Sequence, residues 1–182
     1  IVPVKEPLTL KSATFAQGRQ MGKTLILPVR WNLATAKPVL GTNPTEKLLT
    51  NGIRGSLKYS DFEWCSWADN DSVSFTIDLL KLEMLNTLIL GCITNNGMAI
   101  HKPASVRVEV SDDNSKFREA VVQSFTSEEI FREGNFIENL SLKLGGTQAR
   151  YVRVTAKGPG VCPASHVRPG QTSRIFFDEV ML

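Results

Sequence analysis

Cys162 and His166 stand four residues apart in the segment Cys162-Pro163-Ala164-Ser165-His166. A thiolate and an imidazole at that spacing can be two ligands of a metal ion, or a nucleophile and its base. Further ligands would have to come from His101, Cys65 or Cys92, because the chain holds two histidines and three cysteines. The spacings match no zinc ribbon or finger, so buried free thiols are the expected state, with at most one internal disulfide. Catalytic signatures are missing: there is no G-x-S-x-G, no H-E-x-x-H and no phosphate-cradling glycine loop. Asp178 and Glu179 are neighbours on a strand-like run, where adjacent side chains point to opposite faces and cannot flank one glycosidic bond. The expectation is a chain with no catalytic residues of its own.

Residues 48–67, LLTNGIRGSLKYSDFEWCSW, hold the other concentration of functional side chains. Asn51-Gly52 is a strong turn signal, since both residues tolerate positive φ. Oxygen-bearing side chains follow, then Tyr59, Phe62, Trp64 and Trp67, with neither strand alternation nor a helical apolar stripe. Such a loop either presents rings to a ligand or plugs the end of a core.

The elements that must position these residues read as strands. Residues 72–78, SVSFTID, put Val73, Phe75 and Ile77 on one face and polar groups on the other. Residues 85–93 are more continuously apolar, as suits a strand buried on both sides. Val106, Val108 and Val110 alternate with Arg107 and Glu109, and the same rhythm returns at Leu140, Leu142 and Leu144 and at Val152 and Val154. Only residues 127–133 suit a short helix. Residues 1–30, punctuated by Pro3, Pro7, Gly18, Gly22 and Pro28, carry two strand-like runs: a leading strand pair, or the tail of a preceding domain. Short strands separated by Gly, Pro, Asn and Asp predict an all-β, antiparallel β-sandwich.

At 182 residues the chain can bury a substantial core. The formal net charge is +3, but Lys and Arg never run three together, so no basic stripe for nucleic acid is present. No apolar run approaches the roughly 20 residues of a membrane span. The first residues, IVPVKEP, lack the features of a signal peptide, as in a mature secreted protein or a piece of a longer chain.

In chain order, NLATAKPV, LLTNGIRGS, the tryptophan-bearing loop, SFTIDL, PASVRVEVSDDNSKF, ARYVRVTAKG and the closing FDEVML form a pattern. It resembles the discoidin-like, or coagulation factor 5/8 type C, domain, a fold shared by many family 32 carbohydrate-binding modules. The likeness is closest to the C-terminal module of bacterial family 20 glycoside hydrolases, the β-N-acetylhexosaminidases. Its motifs have counterparts at Leu49 to Gly55, at Cys162-Pro163 and at Phe176 to Val180. The resemblance covers about residues 31–182 and implies a jelly-roll, galactose-binding-domain-like sandwich there, with ligand loops gathered at one end. It further implies a non-catalytic carbohydrate-binding module of an extracellular or periplasmic glycoside hydrolase, targeting it to galactose- or N-acetylhexosamine-type glycans. The alternative is a structural module that packs against the catalytic domain without binding sugar.

Two sites follow from the resemblance. A structural calcium ion would take the carbonyls of Leu49 and Arg54 and the side chains of Asn51, Ser56 and Glu179, with Asn51 standing where the family often has aspartate. A sugar site would pair an exposed ring with planar hydrogen-bonding groups. Trp64 and Trp67 would supply the ring, and Asp61, Glu63 and Asp69 the acceptors. Asn95, His101, His166 and Arg168 would join them from loops at the same end, although the tryptophan usual beside the histidine is replaced.

Overall fold

The computed structural model describes residues 8–29, 31–67 and 72–182; Asp69 lies outside them. The two N-terminal runs are a hairpin, β1 (Leu8–Ala16) and β2 (Arg19–Val29), forming a two-stranded sheet of their own. Gln17 and Gly18, at φ 49° and 75°, make the turn between them. Phe15, Met21, Leu25 and Ile26 on this hairpin are exposed.

The other strands are β3 (Val39–Leu40), β4 (Cys65–Trp67), β5 (Ser72–Asn95), β6 (Ser105–Ser111), β7 (Arg118–Ser124), β8 (Asn135–Lys157) and β9 (Ile175–Met181). They hydrogen-bond in the order β4-β9-β5-β8-β6-β7, with β3 also on β5. β5 and β8 are long enough to belong to both layers of the sandwich. Their register slips between Asp78 and Glu83, and again between Leu85 and Thr87. Before the slips β5 lies between β3 and the C-terminal half of β8; after them it lies between β9 and the N-terminal half of β8. Irregularities of this kind bend paired strands and let one pair turn the corner between layers.

The inward residues of both layers meet in one core. Val73, Phe75 and Ile77 join Leu88, Leu90, Val106, Val108, Val110, Leu142, Val152 and Val154 there. The run 85–93 is buried on both faces only from Leu90 onward; Asn86 is exposed and Thr87 and Ile89 half-buried. The short helix is α1 (Ser127–Ile130), started by a capping box. Thr126 Oγ1 accepts from Glu129 N at 3.3 Å, and Glu129 Oε2 accepts from Thr126 N at 2.7 Å. Among the described residues no helix is long and apolar enough to cross a membrane.

Candidate functional site

A 3-10 turn, Glu46–Thr50, delivers the chain to Asn51-Gly52. The turn closes as its sequence requires: Asn51 Oδ1 accepts from Ile53 N at 2.8 Å, and Gly52 takes φ 78°. Gly52 N donates to Glu179 Oε2 at 3.1 Å. Gly55 N and Arg54 Nε donate to Asp178 Oδ2 at 3.0 and 2.6 Å. Both carboxylates therefore reach the same loop, which corrects the expectation that they face opposite ways. The cause is a β-bulge. β9 pairs Phe177 with Cys92 and Val180 with Leu90, so Asp178 and Glu179 together oppose Gly91. Both carboxylates are fully buried. Burial raises both above the ordinary range, Asp178 against the opposing pull of Arg54, and Glu179 to about 9 against the Gly52 amide.

Glu179 Oε1 is buried with no hydrogen-bond partner among the described residues. The Asn32 side-chain amide approaches and favours the ionised form, but Asn32 Nδ2 and Glu179 Oε1 do not reach hydrogen-bond geometry. An orphaned carboxylate oxygen against the Asn51 turn fits a cation position. The other side-chain donors are less free. Asn51 Oδ1 is taken by the Ile53 amide, and Asn51 Nδ2 donates to Glu63 Oε2 at 2.9 Å. Ser56 is exposed and its hydroxyl accepts from Lys58 N at 3.1 Å. A cation here would rest on Glu179 and the backbone carbonyls of Leu49 and Arg54.

The two loop tryptophans are core residues, 5% and 7% exposed, and cannot stack on a sugar; this corrects their assignment as the ring platform. Trp67 stacks on Phe75 at 6.2 Å and meets Phe177 edge-on at 5.6 Å. Trp64 packs with Ile93, Ile100 and Phe176, and its indole Nε1 donates to the Ser56 carbonyl at 3.0 Å. The indole lies so close over Gly55 that any Cβ there would collide with it, which explains the glycine. With Trp64 and Trp67 buried, the loop that precedes Trp64 stays on the outside, with Ser56, Leu57, Lys58 and Phe62 exposed. The ring left in solvent is Phe62, 91% exposed. The polar residues on either side, Asp61 and Glu63, are the signal in the sequence for its exposure. Asp61 is half-buried, and its oxygens accept from Ser56 N at 3.0 Å and Glu63 N at 3.1 Å. It shapes the loop and is not a free acceptor.

The loops 95–101 and 165–168 do meet. Arg168, exposed, donates through Nε to the Gly97 carbonyl. Asn95 is half-buried and exchanges backbone hydrogen bonds with Ile100. The His101 and His166 rings touch edge-on with centroids 5.0 Å apart, and Phe131 packs on both. His101 is 0% and His166 8% exposed, so neither offers its edge to a sugar, a second correction with the same cause: this end of the sandwich is filled by its own rings. Burial, with His166 alongside, pushes the His101 pKa down to about 4, so the ring is neutral at ordinary pH. The Ile130 carbonyl lies close enough to oppose that shift, yet neither His101 nitrogen reaches hydrogen-bond geometry with a partner among the described residues. His166 Nδ1 accepts from Arg168 N at 3.0 Å, and among the described residues His166 Nε2 has no partner. An unmet buried polar group costs about 1–3 kcal/mol. The three cysteines are buried and free, as read from their spacing; burial drives the Cys65 thiol up to about 12 and raises Cys92 as well.

The family model for the F5/8 type C domain matches residues 34–167. No curated protein matches by sequence. Among solved structures, the chain is similar to CpGH89CBM32-6 produced by Clostridium perfringens, at 18% identity and TM-score 0.52, over 82% of this chain and 96% of that one. It is also similar to chitosan-binding module 1 of a chitosanase/glucanase from Paenibacillus sp. IK-5, at 16% identity and TM-score 0.53, over 83% and 97% of the two chains. The lectin domain of lectinolysin, complexed with Lewis B antigen, aligns at 16% identity and TM-score 0.51, over 82% and 94%. At such identities these likenesses speak for the fold. The bulged strand that meets the Asn51-Gly52 turn, the two-layer sandwich and the span of the family match agree: the chain belongs to the F5/8 type C, discoidin-like family.

Proposed function

We propose that the chain is a non-catalytic glycan-binding module whose ring platform is Phe62. The observation that carries this reading is the 91% exposure of that ring on a loop held from both sides. Asp61 clamps the Ser56 and Glu63 amides, and Trp64 anchors the loop in the core. A sugar's apolar C–H face stacks on a flat ring, and a loop ordered in advance loses little entropy on binding. The names of similar folds, a chitosan-binding module and a lectin domain complexed with Lewis B antigen, support the ligand class. Galactose- or N-acetylhexosamine-type sugars are the expected ligands. The mechanism is targeting: weak binding that raises the local concentration of a linked catalytic domain. The order of the LTNGIRG, Cys-Pro and FDEV motifs supports a β-N-acetylhexosaminidase-type glycoside hydrolase as that partner, working outside the cytoplasm. A structural calcium ion at Glu179 belongs to the same reading, and its support is the orphaned Oε1.

Glycan-array and affinity-electrophoresis measurements on the chain and on Phe62→Ala test the proposal. Binding to one of those sugar classes, weakened at least tenfold in the variant, is the expected result. Silence across animal and plant glycans overturns it and leaves the second reading, a module that packs against its neighbour without binding sugar. Two observations favour that reading: Trp64, Trp67, His101 and His166 are buried, and the hairpin β1–β2 exposes Phe15, Met21, Leu25 and Ile26 as the tail of a preceding domain would.

A further inference from the structure

Three side chains of metal-ligating type, His101, Cys162 and His166, meet in the interior. His101 follows the Asn95–Ile100 bridge, and its amide donates to the Arg174 carbonyl at 3.1 Å. Cys162 and His166 lie in the loop closed by the Val161–Thr172 bridge. That loop is tied within itself: Cys162 N donates to Gln171 O at 2.9 Å, Gly170 N to Cys162 O at 3.0 Å and His166 N to Pro163 O at 3.0 Å. One nitrogen of each imidazole and Cys162 Sγ all lie within 4.8 Å of one another. Exposure is 0% for His101, 3% for Cys162 and 8% for His166.

We infer that His101, Cys162 and His166 form a binding site for one borderline-soft transition-metal ion, of which Zn²⁺ is the type, clipping the 161–172 loop to residues 95–101. Two imidazoles and a thiolate are a donor set for zinc-like ions and a poor one for calcium, which prefers oxygen. Bonds of about 2.0–2.3 Å in a tetrahedron put donors roughly 3.3–3.6 Å apart, so the cluster closes by about an ångström on binding. The unmet valences point the same way. Both His101 nitrogens and His166 Nε2 are buried with no hydrogen-bond partner among the described residues, and rings packed edge-on offer them none. A metal takes one nitrogen from each histidine, and the Ile130 carbonyl beside His101 is the kind of acceptor that steadies the other nitrogen of a ligating ring. Cys162 Sγ lies 3.4 Å from Ser173 Oγ, whose hydroxyl can donate to a thiolate. On binding, the thiol gives up its proton to solvent and the ion gains a thiolate ligand. Beside His166 lies a cavity of about 110 Å³, lined also by Asn96, Phe131, Glu133 and Ser165, with room for a water or small anion as a fourth ligand.

His166 makes the inference specific. Its Nδ1 accepts from the Arg168 amide at 3.0 Å. Ligation through Nδ1 takes that lone pair, and ligation through Nε2 moves the proton onto Nδ1. Either way the Arg168 amide loses its acceptor, and the loop reports the metal.

The test uses the tag-free, reduced and chelator-treated full chain, titrated with Zn²⁺ and with Co²⁺ as a spectroscopic probe. One equivalent should bind, with a cobalt–thiolate charge-transfer band, a rise in melting temperature with Zn²⁺ and a displaced Arg168 amide resonance. Cys162→Ser should weaken Zn²⁺ binding at least a hundredfold, His101→Gln at least tenfold, and Cys92→Ala less than threefold. Absence of a one-to-one complex, or Cys162→Ser binding within threefold of the parent, overturns the inference. Should Cys162→Ser fail to fold, the charge-transfer band and the Arg168 shift in the parent chain decide: both present support the site, and either missing overturns it.

Discussion

Gly91 on β5 faces Asp178 on β9 so closely that a Cβ on Gly91 would collide with Asp178 Oδ1 and with the Arg54 guanidinium. The bulge that brings Asp178 and Glu179 to one loop is thus matched by a missing side chain on the opposite strand. The Arg54–Asp178 ion pair occupies the space that a side chain would need.

Gly91→Ala must push that buried pair apart. Breaking or displacing such a pair costs a few kcal/mol, so a loss of about 2–4 kcal/mol is expected by urea denaturation. Gly97→Ala, where a Cβ meets only ordinary contact, should stay within about 0.5 kcal/mol.

The rings of the 48–67 stretch should separate by role. Trp67→Ala empties a core position between Phe75 and Phe177 and should cost about 3–5 kcal/mol. Phe62→Ala, at a ring in solvent, should change stability by no more than about 0.5 kcal/mol while weakening glycan binding. Denaturant unfolding and glycan-binding assays on the same two variants check both halves.

Acid should unfold the chain partly through two arginine-clamped carboxylates. Arg150 holds Asp78 at 2.8 and 2.9 Å, and Arg153 holds Glu109 at 2.9 and 2.9 Å. The hydrogen bonds from these guanidiniums keep both carboxyls below their ordinary range. Between the folded and unfolded values the unfolded chain binds more protons, so stability rises with pH there. The contribution is complete above the unfolded value of about 4 and is lost as pH falls through the folded values. Both pairs are partly exposed, so each contributes at most about 1 kcal/mol. Denaturation midpoints from pH 5 to pH 2 should fall more steeply for the parent than for Asp78→Asn with Glu109→Gln.

Calcium should stabilise the chain through Glu179. A ligand at a hundredfold excess over its Kd adds about 2.7 kcal/mol, which thermal unfolding reads as a rise in Tm. Glu179→Gln should abolish the rise, and Ser56→Ala, at an exposed side chain, should leave most of it. A chelator-treated parent chain with no calcium-dependent shift would exclude the ion.

What the residues determined unaided was the alternation. Val73, Phe75 and Ile77, or Val106, Val108 and Val110, have one buried face in any sheet, because strand period is local; the class and the places of these strands along the chain followed from that, while their order in the sheet came from pairing between distant segments. The Asn51-Gly52 turn and the capping box at Thr126 were equally local. Which rings face solvent was not. Trp64, Trp67 and Phe62 lie within six residues of one another, and only the closing of β4 on β9 buried two and expelled the third. The side-by-side carboxylates of Asp178 and Glu179 depended on a register slip against Gly91, a relation between strands that single-strand periodicity cannot express. The family resemblance places His101 and His166 on loops at one end of the sandwich, but only the packing of those loops brings a nitrogen of each ring and Cys162 Sγ within 4.8 Å of one another. Local chemistry chose the strands; contacts between residues far apart in the chain chose what the ends of those strands could hold.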